Sequence, residues 1–240
     1  RAEKKGSAYV VDGTKSWVSS AGFADLFTVY VSTEPAQGSR GISCLLVEKS
    51  QTGMTLGKKE KKLGMRGSDT RDIFFRGCSV PAQALLGAEN MGFKVAMSAL
   101  DAGRIGIASQ SVGIAQAALD EAVAYAKERK QFGKPLAHFQ MIQAKIAEMA
   151  VAVEASRLLT RQAAWKYGTG ARASLEASMA KLFASQSANR VAYEALQIHG
   201  GNGYIREFPV ERYFRDARVT EIYEGTSEVQ KIVIARELLK

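Results

Sequence analysis

The character of the sequence changes at Leu86-Gly87-Ala88-Glu89-Asn90, and this break constrains the fold more than any single motif. Before it, residues 8–11, 16–19, 26–32, 42–48 and 73–75 are β-branched or aromatic runs. They are punctuated by Asp12-Gly13, Ala21-Gly22 and Gln37-Gly38. Short runs at close spacing predict antiparallel strands in a barrel or sandwich. Beyond the break the chain is alanine-rich. Ile105, Ala108, Val112, Ala115 and Leu119 recur at helical steps, which predicts one long helix over about 91–129. Gly133-Lys134-Pro135 and Gly168-Thr169-Gly170 interrupt the pattern and set off further helices over about 138–167 and 172–198. A short helix near 210–215 and a final one complete the region. Long helices on short loops pack as an antiparallel bundle. The expected fold is α+β: a partial antiparallel β-barrel or sandwich over 1–88, then an antiparallel four-helix bundle over 89–240.

The 240 residues suffice for a real core in one or two domains. The 46% hydrophobic and 24% charged content is that of an ordinary globular protein. No apolar run reaches the length of a membrane span. Cys44 and Cys78 lie far apart in strand-like surroundings and read as buried free thiols of a reducing compartment. The net charge of +9 is compatible with a polyanionic ligand. Lys58, Lys59, Lys61 and Lys62 flank Glu60 as expected of a solvated turn. His138 and His199 have no partners at metal-ligand spacing, no Walker motif is present, and no Ser/His/Asp order suggests a hydrolase.

Five further stretches stand out for a structural or a chemical reading. In Ile222-Tyr223-Glu224-Gly225-Thr226-Ser227-Glu228-Val229-Gln230, Ser227 and Gln230 fit a capping box, so Glu224 sits in the connection before the last helix. It is either a solvated loop carboxylate or a base facing a cleft, with Gly225 baring the backbone beside it. Gln197-Ile198-His199-Gly200-Gly201 is either a glycine C-cap or backbone exposed to a flat or phosphorylated ligand. Arg129 ends the first long helix, where it complements the dipole or grips a pyrophosphate. Asp101-Ala102-Gly103-Arg104 carries an i, i+3 ion pair of the kind that supports a helix surface. Trp17-Val18-Ser19 lies on a strand, where a tryptophan ordinarily packs against the sheet.

The run from Arg215-Asp216-Ala217-Arg218 through Glu221-Ile222-Tyr223-Glu224-Gly225-Thr226-Ser227-Glu228 resembles the C-terminal signature of the acyl-CoA dehydrogenases, and most of all their short-chain (butyryl-CoA) branch. The resemblance extends from Tyr9 to Leu239, with five motifs in the family's order. It implies an FAD-dependent enzyme that converts an acyl-CoA to the trans-2-enoyl-CoA. Glu224 would be the base for the α-proton, with the β-hydrogen leaving as hydride to flavin N5. It further implies that Trp17, Val18 and Ser19 cover the flavin. Ser19 stands where the family has threonine, and Val18 where it has isoleucine. Arg129 and Gln140 would meet the FAD of a neighbouring subunit at its pyrophosphate. Gln197, Ile198, His199, Gly200 and Gly201 would meet the adenosine half of that FAD. Thr226, Ser227 and Glu228 would also touch the cofactor. Asp101, Ala102, Gly103, Arg104 and Gly225 would line the acyl-CoA site. The isovaleryl branch carries its base at the position of Gly103, which cannot serve here.

The same resemblance implies a homotetramer built as a dimer of dimers, electron transfer to an electron-transfer flavoprotein, and a bacterial cytoplasmic or mitochondrial matrix location. No membrane partner is expected. The family's helical N-terminal domain and first β segment have no counterpart in these residues, so a truncated form that binds FAD poorly alone is expected. Two alternatives stand beside the enzyme: a nucleic-acid-binding relative of the same fold, whose affinity would fall steeply with salt, and a structural fragment without activity. No basic groove interleaved with aromatics supports nucleic acid.

Overall fold

A computed structural model describes residues 1–240 and divides them into two units. The β unit comprises Arg1–Lys62 and Arg66–Ala99. The helical unit comprises Leu63–Met65 and Leu100–Lys240.

In the β unit, β1 (Ala2–Lys5), β2 (Ala8–Ser19), β6 (Thr70–Pro81) and β5 (Met54–Leu56) form an antiparallel sheet in the order β1-β2-β6-β5. Strands β3 (Leu26–Ser32) and β4 (Ile42–Glu48) pair antiparallel in a second sheet. Alternate residues Phe27, Val29 and Val31 of β3, with Leu45 and Val47 of β4, share one core with Tyr9, Val11, Ile73, Phe75, Cys78 and Val80. This is the sandwich alternative, with no closed barrel. The alternation in β6 shifts between Phe75 and Cys78 because the β2–β6 register slips between Val11 and Gly13. Gly77 takes a positive φ of 57° there, and its N–H donates to Asp12 Oδ1 at 2.7 Å. Cys44 and Cys78 are buried free thiols, as expected.

The expected runs 8–11 and 16–19 are one twelve-residue strand, β2, interrupted by bulges. The run 73–75 is the middle of the longer β6. Strands β1 and β5 were not anticipated, since Ala2–Lys5 is mostly charged and Met54–Leu56 is too short to show a period.

Helix α1 (Gly92–Glu128) starts in the β unit and continues through the helical unit. The hairpin of β7 (Lys130–Gln131) and β8 (Lys134–Pro135) leads to α2 (Gln140–Gly168), α3 (Ser174–His199), α4 (Val210–Ala217) and α5 (Ser227–Leu238). Two alanine-rich clusters fix the packing. Ala108 and Val112 of α1 meet Ala163 of α2 and Ala180 and Ala184 of α3. Ala115 through Ala126 of α1 meet Met149 and Val153 of α2 and Ala188 through Ile198 of α3. The start of α2 thus lies against the end of α3, so α2 runs antiparallel to both α1 and α3. Small side chains let these backbones come close while burying every methyl.

Of the glycines in α1, Gly92 and Gly103 lie in close approach to other groups. Gly106 and Gly113 face open space. No helix is long and apolar enough to cross a membrane.

Candidate active site

Three helices converge on the connection that carries Glu224. Tyr223 precedes it, and its hydroxyl hydrogen-bonds Gln110 of α1. Burial pushes the Tyr223 phenol up despite that bond, and the nearby Glu224 adds to the rise. From α3, the Lys181 ammonium donates to the Gly225 carbonyl at 2.7 Å. From α5, Gln230 Nε2 donates to the carbonyls of Glu224 and Gly225 at 3.1 and 2.9 Å. Glu224 and Gly225 both hold positive φ, 53° and 89°. A non-glycine residue there stores on the order of 1–3 kcal/mol and persists only where its surroundings over-determine it. The donors Lys181 and Gln230, with the Tyr223 hydroxyl anchored on Gln110, supply that determination.

The cap of α5 differs from the expected box. Thr226 is the N-cap, and its hydroxyl accepts from the Val229 N–H at 3.4 Å. Ser227 has already entered the helix, and its buried Oγ has no partner. Gln230 sits one position too late to close a box. It reaches back to carbonyl oxygens rather than to a free N–H, and so secures the Glu224 turn itself.

The half-buried Glu224 side chain lies over Gly103 of α1. A Cβ at Gly103 would stand 2.5 Å from Glu224 Oε2 and 2.9 Å from Cδ. One residue on, Arg104 is buried and pairs with Asp101 at 2.9 Å. Ser174 Oγ donates to Asp101 Oδ2 at 2.6 Å. The expectation of a surface ion pair is therefore corrected: the side chains of Arg104 and Asp101 are only 7% and 16% exposed, and Arg104 Nε is buried without a partner. Ala102 is exposed beside them on the same turn.

The largest omission of the sequence reading is Lys181, fully buried on α3. Burial lowers its pKa to about 8, while Glu221, Glu224 and Glu228 pull it up and Arg104 pushes it down. A signal existed. Ala177, Lys181, Ala184, Ala188, Val191, Ala195 and Ile198 lie on one helical stripe, so a lysine occupies a core position.

A second group of residues gathers at the far ends of α1 and α3. His199 stacks on Tyr125 with centroids 4.1 Å apart, and its Nδ1 bonds the Ala195 carbonyl at 2.8 Å. Its buried Nε2 has no partner, and burial pulls the imidazole below its ordinary pKa. Tyr125 receives a hydrogen bond from Asn202 Nδ2 at 3.0 Å. Gln197 and Ile198 close α3. Gly200 ends it at φ 58°, and a Cβ on Gly200 or Gly201 would meet nothing within 4 Å. One turn beyond Tyr125, Arg129 is exposed and enters no ion pair, and Phe132 projects from the β7–β8 hairpin 91% exposed at φ 51°. Phe132 meets Phe139 edge-on at 6.2 Å, next to exposed Gln140 at the start of α2. Gly103 and Tyr125 stand about 33 Å apart along α1, at 1.5 Å per residue. The Glu224 group and the Arg129–His199 group are therefore separate patches of one copy.

In the β unit, the register of β2 slips between Lys15 and Val18, so Ser16 and Trp17 stand opposite the single residue Asp72 of β6. Its φ of 61° is an outlier for an aromatic residue, and its indole is 71% exposed. This corrects the expectation that a strand tryptophan packs against the sheet: the bulge turns the ring outward. Val18 packs on the core and Ser19 is exposed.

Each unit by itself carries groups that suit part of a flat, phosphorylated ligand. In the helical unit an unpaired guanidinium suits a pyrophosphate and Gly200 and Gly201 bare an open stretch of backbone, and in the β unit an exposed indole offers a stacking face. No cluster of three or more metal-ligating side chains exists.

Residues 90–239 match the acyl-CoA dehydrogenase C-terminal domain, and residues 1–78 match the acyl-CoA dehydrogenase middle domain. The chain belongs to the acyl-CoA dehydrogenase family. It is 52% identical over 239 residues to the mitochondrial short-chain specific acyl-CoA dehydrogenase of Homo sapiens, covering 100% of this chain and 58% of that protein. The butyryl-CoA dehydrogenase structure from Megasphaera elsdenii superposes with a TM-score of 0.98 at 46% identity. It covers 100% of this chain, which spans 63% of that one. The acryloyl-CoA reductase (NADH) of Anaerotignum propionicum is 49% identical over 232 residues, covering 97% of this chain and 59% of that relative.

Proposed function

We propose that the protein oxidises a short acyl-CoA thioester to its trans-2-enoyl-CoA, with Glu224 as the base that removes the α-proton. The observation that supports this most is the clamped Glu224 turn, whose carboxylate fills the space above Gly103. A general base must be held within hydrogen-bond reach of its proton, and a turn fixed from three helices provides that constancy. A carboxylate alone is too weak for an α-carbon, so the backbone N–H of Glu224 is assigned to the thioester carbonyl, where it stabilises the forming enolate. FAD, when bound, supplies the two-electron oxidant that accepts the β-hydrogen as hydride.

The β unit contributes Trp17, Val18 and Ser19 to the cofactor, and the helical unit Thr226, Ser227 and Glu228. Arg129, Gln140 and Gln197–Gly201 are assigned to the FAD of a neighbouring copy. Their separation from Glu224 along α1 supports that assignment, and the proposed assembly is a homotetramer. Asp101, Ala102, Gly103, Arg104 and Gly225 are assigned to the acyl-CoA. An electron-transfer flavoprotein is the proposed acceptor of the electrons.

Turnover of butyryl-CoA by the natural full-length protein with a dye acceptor tests the reading. Formation of the enoyl thioester is expected, and none formed from any acyl-CoA would overturn it. The identity to an acryloyl-CoA reductase favours a second reading, in which the same residues work in reverse and Glu224 delivers the α-proton. Enoyl-CoA-dependent oxidation of NADH, exceeding dye reduction by the acyl-CoA, would select it.

A further inference from the structure

We infer that Lys181 is a positioning residue for the base, holding the Glu224–Gly225 turn through a charged hydrogen bond from behind. This rests on the reading of Glu224 given above. Lys181 is fully buried, yet it enters no ion pair, and its hydrogen bond goes to the Gly225 carbonyl. Burying an ammonium for a single neutral acceptor is costly, and an alanine or leucine would pack the same stripe without that cost. A buried charge at a core position is therefore explained by what it holds.

What it holds is strained. Glu224 and Gly225 both sit at positive φ, and relaxation of either would swing the carboxylate away from Gly103. Gln230 donates to the same Gly225 carbonyl, so the oxygen is shared between an uncharged donor on α5 and a charged one on α3. The charged bond is the stronger of the two by about a factor of two. The ionisable groups that face Lys181 are Glu221, Glu224, Glu228 and Arg104, three anions against one cation.

Because burial brings the Lys181 pKa to about 8, the ammonium is present below that pH and lost above it. The turn should then loosen in mildly alkaline solution. Lys181 does not touch the thioester in this account, so its loss should lower kcat and leave KM nearly unchanged.

The test uses the natural full-length holoenzyme. The parent kcat for butyryl-CoA should fall through a midpoint near pH 8. Lys181→Met should lower kcat at pH 7 by roughly 10- to 100-fold, the scale of a sub-ångström to ångström misplacement. It should also flatten the alkaline limb and leave the Kd of S-butyl-coenzyme A, a non-reactive thioether, within about twofold. Lys181→Gln, which keeps a donor but no charge, should recover part of kcat without the limb. A parent profile flat from pH 7 to 9.5 would overturn the inference even if neither variant folds. So would a Lys181→Met enzyme with parental kcat and limb. Glu224→Gln measured alongside separates the two claims. If it too turns over normally, the base assignment has failed. If it is inactive while Lys181→Met is normal, only the positioning role has failed.

Discussion

The Glu224 carboxylate stands where a side chain on Gly103 would have to be: Oε2 lies 2.5 Å from the position of a Cβ there. Neither residue is free to change alone. A carboxylate reaching down from the α5 connection requires a bare backbone on α1, and any side chain on α1 would expel it. Gly103 is a poor helix former in the middle of α1, and this relationship accounts for its presence.

Gly103→Ala should therefore separate stability from activity. Alanine favours the helix by about 0.5–1 kcal/mol, so the melting temperature should hold or rise slightly. The displaced carboxylate should cost roughly 10²-fold in kcat. Calorimetry and butyryl-CoA turnover on the same preparation check both halves. A large loss of stability would mean that the Glu224 clamp yields less readily than α1.

Arg129→Ala should weaken FAD retention by roughly 10- to 100-fold in Kd, the worth of one charge-assisted bond to a phosphate. Arg129 supports nothing else, since it is exposed and unpaired. Titration of the apoprotein with FAD measures the change, and the variant should lose part of the salt dependence of binding. Unchanged affinity would remove Arg129 from the cofactor.

His199 should make stability fall in acid. Its imidazole is buried against Tyr125 and Phe208, and burial holds its pKa below the ordinary 6.5. The unfolded chain takes up the proton near 6.5, whereas the folded chain does so only at lower pH. The unfolded state thus binds more protons in that window, and stability falls as pH drops below about 6.5. His199→Leu should remove this part of the slope in melting temperature between pH 7.5 and 5.5. An unaltered slope would place its origin in other groups.

The helical half was legible because its signals are local. Alanine-rich stripes at helical period, broken by Gly-Lys-Pro and Gly-Thr-Gly, placed α1, α2 and α3 within about two residues of their observed ends. The β half was less so. A bulge adds one residue and reverses the inside–outside alternation, so β2 reads as two strands and the outward turn of Trp17 is hidden. In the candidate site, Glu224 and Gly103 stood out from their motifs, but what fixes them did not. Gln110, Lys181 and Gln230 come from three helices far apart in the chain, and only folding brings them to one turn. Lys181 alone left a trace, as a charge on an otherwise apolar stripe.

The central claim is that Glu224 removes the proton, and Glu224→Gln tests it most directly. The amide is nearly isosteric, so the variant should fold and retain FAD like the parent. Its turnover of butyryl-CoA should drop at least about 10²-fold, the low end for loss of a general base. Turnover within a few-fold of the parent, by a protein with intact flavin, would contradict the account.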